Sequence, residues 1–177
     1  MKFLLQLAFF LAFVTSASAQ TAVNTVGSDD LMAISGFDVV AFHTMKKAIS
    51  GDERFAITHA GAKWTFSSAE HLKLFTDAPD RYLPAWGGHC AAGIAENGVS
   101  QKKLSGDFTM VGNKLYLFSW GNRSKSGAKD DFVYGRWPTS RLIADGDKNW
   151  IEIKSSLETG SRTQPGASSF RRTTYDK

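Results

Sequence analysis

Apolar and polar positions alternate in some stretches of this chain and recur every third residue in others. Trp64 and Phe66 alternate with Lys63 and Thr65, the period of a half-buried strand, so both rings are expected on one face, the core face. Phe55-Ala56-Ile57 also alternates and runs into His59-Ala60-Gly61, which predicts a hairpin with 63–66. The clearest hairpin is Phe108 to Val111, Gly112-Asn113, then Lys114 to Phe118, because Gly-Asn supplies the positive backbone angle of a tight turn. Between the two hairpins, Ser67-Ser68-Ala69-Glu70 reads as a capping box with Ser67 as the cap, and Ala69, Leu72 and Phe75 fall on one helical face. Pro79 is expected to stop that helix.

The remaining elements are short. Phe37, Val39, Val40 and Phe42 form an apolar cluster after Gly36, with Asp38 placed to cap a helix. Residues 126–134 and 140–144 suggest two further short helices before Asn149-Trp150. The expected fold class is α+β: a small antiparallel sheet with short helices packed on it. No internal repeat and no heptad run is visible in the residues.

The ends of the chain differ from its body. Met1-Lys2, an apolar run from Phe3 to Val14 and Ala17-Ser18-Ala19 before Gln20 form the pattern of a secretory signal peptide over 1–19, too short for a membrane span. Residues 20–30 are polar and read as a flexible lead-in, 31–153 as one domain, and 154–177 as a disordered basic tail rich in Ser, Thr, Gly and Arg. Of the formal charge of +4, the tail carries three, with 5 Lys/Arg against 2 Asp/Glu, and Lys2 the fourth, whereas residues 20–153 carry 15 of each sign. A neutral body gives no support for nucleic-acid binding. The expected location is the periplasm or the extracellular space, with no membrane span and an exported protein or a metal ion as the expected partner. Asn122-Arg123-Ser124 is a glycosylation acceptor pattern, relevant in a eukaryotic source.

Chemistry rests on few side chains. Cys90 is the only cysteine, which rules out an intramolecular disulfide, and an exported free thiol calls for burial, a metal, a partner thiol or reactivity. It follows Gly87-Gly88-His89; if a helix begins there, its dipole and the imidazole favour thiolate, a ligand suited to zinc or copper. The alternative reading is a small residue packed among alanines and glycines. The histidines are His43, His59, His71 and His89. His59 falls in an expected turn and reads as solvated. There is no Gly-x-Ser-x-Gly elbow, phosphate loop, His-Glu-x-x-His or dinucleotide fingerprint, so no enzyme is expected.

The stretch from Trp64 to Tyr82, aromatic-x-Phe-Ser-Ser-x-x-His-x-x-x-Phe-x-x-x-Pro-x-x-Tyr, resembles a YHS domain. Gly87-Gly88-His89-Cys90-Ala91 and Gly36-Phe37-Asp38-Val39-Val40-Ala41-Phe42 resemble the exported, single-domain branch of that family, and the resemblance spans Leu31 to Trp150. Relatives occur beside copper- and heavy-metal-handling proteins and some monooxygenase systems. Metal-handling relatives carry a Cys-x-x-x-Cys pair where this chain has Ser67 and His71, which removes both soft ligands. The expectation is an exported YHS-like domain binding copper or zinc through Cys90, with His89, His71 and His43 as further ligands. Its alternative is a metal-free structural or interaction module with Cys90 buried; a thiol redox enzyme comes third.

Overall fold

The computed structural model describes residues 21–26, 28–99, 102–119, 127–135 and 138–160; the signal-peptide stretch, Asn122 and residues 161–177 lie outside them. Two antiparallel hairpins are the strand content of the described residues. β1 (Asp52–His59) pairs with β2 (Ala62–Phe66), Ala56 opposite Thr65 and Ile57 opposite Trp64. β3 (Leu104–Val111) pairs with β4 (Lys114–Ser119), Phe108 opposite Leu117 and Thr109 opposite Tyr116. Helices α1 (Val39–Thr44), α2 (Ala69–Asp77), α3 (Pro79–Tyr82), α4 (Ala91–Ala95), α5 (Gly127–Tyr134) and α6 (Thr139–Glu158) surround them. The fold is α+β, in two small sheets where one was expected.

A repeat that the residues do not announce organises these elements. A 3-10 turn at Ala33–Gly36 precedes α1, β1 and β2, and a second at Ala85–Gly88 precedes α4, β3 and β4. Each second-half element starts 52 positions after its counterpart: Ala33 and Ala85, Val39 and Ala91, Asp52 and Leu104, Ala62 and Lys114. Both hairpins break register at the same place, between Asp52 and Ala56 and between Leu104 and Phe108. The turns share an unusual left-handed backbone: φ is 44°, 58° and 79° through Ile34, Ser35 and Gly36, and 51°, 62° and 78° through Trp86, Gly87 and Gly88. Ile34 and Trp86 are costly residues for that region, at about 1–2 kcal/mol each, so surrounding contacts must hold them there. Between 33–67 and 85–119 the aligned identities are Ala33/Ala85, Gly36/Gly88, Phe66/Phe118 and Ser67/Ser119. That corrects the reading of a chain without internal repetition.

Asn24 clasps the two turns together. Its backbone N–H donates to Gly87 O (2.8 Å), its Nδ2 to Gly88 O (3.1 Å), and its carbonyl accepts from Ile34 N (2.8 Å). Val23 and Asn24 are buried, so this part of the lead-in is packed structure rather than loose chain. There are two cores, and the first also takes Leu104, Leu115 and Leu117 from the second hairpin. In the first, Trp64 and Phe66 pack on Phe75 of α2, with ring centroids 5.4 and 5.1 Å apart. Both are buried as the alternation requires, but Thr65 between them is buried too, because this strand is covered on both faces. In the second, Tyr116 and Phe118 pack on Phe132 of α5 at 5.8 and 5.6 Å.

Three local expectations change. Ser68, not Ser67, caps α2, its Oγ accepting from His71 N (3.2 Å), because Ser67 is drawn to Asp38. The expected short helix at 140–144 is the start of the 20-residue α6, which buries Ile153 and Leu157. Residues 154–158 therefore belong to a core helix and not to a tail.

Candidate functional site

Asp38 is a fully buried carboxylate at the start of α1. Its Oδ1 accepts from Val40 N (2.9 Å) and Ala41 N (3.2 Å), as the sequence pattern predicts for a helix cap. Its Oδ2 accepts from Ser67 N (2.8 Å), Ser67 Oγ (2.6 Å) and His71 Nδ1 (2.6 Å). A carboxylate only accepts, so His71 carries its proton on Nδ1 and turns Nε2 toward Thr44 Oγ1 at 3.4 Å. Carboxylate, imidazole and hydroxyl thus stand in the order of an orienter–base–nucleophile row. The Thr44 hydroxyl, however, gives its proton to Val40 O (3.0 Å), so His71 does not engage it as a base. This cluster ties α1, β2 and α2 together; it is a strut.

His43 sits on α1, its Nε2 donating to Tyr82 O at 3.2 Å while its ring meets Tyr82 edge-on at 5.4 Å. Burial, the largest influence, lowers its pKa against the Tyr82 carbonyl, which raises it. His59 is half-buried against Phe75 (5.4 Å) rather than solvated, and its carbonyl accepts from Trp64 Nε1 (3.0 Å).

Cys90 and His89 lie in the second half. Cys90 precedes α4 as expected, but its side chain makes no capping bond and is buried, within a cluster containing Trp86, Ala91, Ile94 and Tyr116. His89 is 2% exposed, and neither ring nitrogen has a hydrogen-bond partner. Burial pushes its pKa down to about 4; the nearby Ala22 backbone opposes this without meeting hydrogen-bond geometry, so the ring is neutral. The structure therefore joins His71 to Asp38 and divides the four candidate ligands, His43 and His71 at α1 and His89 and Cys90 before α4. Among the described residues no three His, Cys, Asp or Glu side chains converge, so the donors present do not form the multidentate set of a zinc or copper centre.

A cleft of about 580 Å³ opens beside the second turn, lined among others by Ala22, Leu83, Trp86, Gly87, Tyr116 and Trp150. The left-handed Trp86 is fixed by its Nε1–H, which donates to Asp147 Oδ1 (3.0 Å), by the Tyr116 ring (5.2 Å, edge-on), and by close approach to α6. At that approach residue 146 has to be glycine, since a Cβ there would lie 2.3 Å from the indole. The Tyr116 phenol is raised in pKa, first by burial and then by the charge of Asp147, and remains a donor at neutral pH. Lys114, Lys154, Asp80 and Glu158 also line the cleft, so its charges are mixed.

Residue reading missed this cleft because its aromatics are far apart in the chain. The left-handed Trp86 has no signature beyond the two glycines after it. No protein-family model, no curated protein and no solved structure matches this chain.

Proposed function

We propose that this chain is an exported YHS-like domain that works as a binding module, taking a small organic molecule in the aromatic cleft of its second half. The observation that carries the reading is Trp86, held in a costly backbone conformation by Asp147, Gly146 and Tyr116 at the cleft. Ile34 carries the same backbone in the first half, but Trp86, unlike Ile34, lines a cleft, and the cleft's volume lies in the range of small-molecule sites. Mixed aromatic and charged lining suits an amphipathic ligand of low net charge. The signal-peptide pattern supports export, and the YHS-like motifs support the family.

Calorimetric titration with neutral and charged aromatic compounds tests the reading. One-to-one binding that weakens in Leu83→Trp, which narrows the cleft, supports it; absence of binding, or binding untouched by narrowing, contradicts it.

A second reading is copper or zinc held by Cys90 and nearby histidines. It is supported by a buried thiol that follows, one place on in the chain, a buried imidazole whose nitrogens have no partner. Metal analysis of the mature protein decides it: about one metal per chain, lost in Cys90→Ser, favours a metal site.

A further inference from the structure

Buried polar atoms almost always find partners, and the exceptions call for an explanation. Among the described residues the buried side-chain nitrogen and oxygen atoms without one are His89 Nδ1, His89 Nε2 and Ser119 Oγ. His89 lies directly behind the cleft wall. Its ring is tilted against Trp150 at 5.7 Å, and the Ala22 backbone is beside it; Ala22, Trp150 and the neighbouring Gly87 all line the cleft. In the first half the corresponding position, 52 residues earlier, is Phe37, whose ring packs edge-on against Phe42 at 6.1 Å. The fold therefore accepts an aromatic hydrocarbon at this place and does not require an imidazole.

We propose that His89 is the specificity-determining residue of the cleft, offering its two ring nitrogens to a neutral ligand that carries a paired donor and acceptor beside an aromatic ring. Trp150 is the side chain that must turn aside to admit it. A neutral imidazole presents one N–H donor and one lone-pair acceptor, which match an amide or a similar group. It supplies no charge, so a carboxylate brought to this buried place would lose its hydration without a counter-ion. The half-buried Trp150 supplies a ring for the aromatic part to pack on. This inference rests on the cleft being a binding site.

Benzamide, benzoate and toluene serve as the probes, titrated by calorimetry into the full chain and into His89→Phe and His89→Gln. The expected order is benzamide tightest by about tenfold over toluene, the size of effect that hydrogen bonds to one buried residue produce. In His89→Phe that preference disappears while toluene still binds, and the melting temperature rises because two unpartnered polar atoms are gone. His89→Gln, which keeps a donor and an acceptor, restores part of the preference. An unchanged benzamide preference in His89→Phe overturns the proposal, as does a benzoate preference in the wild type. If His89→Phe does not fold, loss of the preference in His89→Leu against its retention in His89→Gln gives the same test. Binding of none of the three overturns the cleft reading together with this one, whereas binding without dependence on His89 overturns this one alone.

Discussion

The two halves of this protein share a backbone and differ in how they finish it. In the first, Asp38 stands after the left-handed turn and is saturated by five hydrogen bonds that gather α1, Ser67 and His71. In the second, Cys90 takes the place of Asp38 and Ser119 that of Ser67; the thiol makes no capping bond, and Ser119 Oγ has no partner among the described residues. His89 replaces Phe37 and brings two more unpartnered atoms. One copy is closed by its own hydrogen bonds. The other keeps polar capacity unspent beside a cleft, which is where a protein can afford to bind something else. A fold used twice can thus divide its tasks, with rigidity in one copy and recognition in the other.

The largest expected effect falls at the shared aromatic position. Phe66 and Phe118 are both fully buried equivalents, and replacing either by Ala is expected to cost about 3–5 kcal/mol in urea unfolding. A change below about 1 kcal/mol at one of them would show that the halves do not carry matching cores. Next comes the cap position. Asp38→Ala strands the donors around it and is expected to cost about 3 kcal/mol, against about 1 kcal/mol or less for Cys90→Ala. Equal losses would contradict the division between a locked half and an open one.

Acid acts on both halves, through His43, whose pKa burial lowers, and through His89, whose pKa it lowers to about 4. The unfolded chain takes up a proton on His89 as pH falls through 6.5, whereas the buried ring does so only near 4. The depressed pKa thus favours the folded state above 6.5, and this contribution is lost progressively down to about 4. The loss is at most about 3 kcal/mol. His89→Phe removes it, so wild type and variant should diverge as pH is lowered across that window. Parallel stability curves would show that His89 is not buried as a neutral ring.

Much of the architecture is legible in the residues, and the limits have physical causes. Both hairpins are visible because period-two alternation flanks turns that contain glycine, and the Asp38 cap is visible because capping is local. The cap of α2 is misplaced by one residue because Ser67 is recruited by Asp38, 29 positions away in the chain. The length of α6 is hidden by Gly146, which reads as a helix breaker but is required by the contact with Trp86. The repeat is hidden because the two halves share backbone geometry and element spacing but only four aligned identities. Of the site, Cys90 and the histidines draw the eye by residue type. Sequence neighbours at 89 and 90 point to one centre only on paper, whereas the cleft is assembled from Trp86, Tyr116 and Trp150 by tertiary folding.

Whether recognition belongs to the second half is decided by a proton–nitrogen correlation spectrum recorded during titration with benzamide. The Trp86 and Trp150 indole N–H signals and the Gly87 and His89 amides are expected to shift, with the Ser67 and His71 amides beside Asp38 left in place. Shifts centred on Ser67 and His71, or a spectrum unchanged at saturating benzamide, would contradict this assignment.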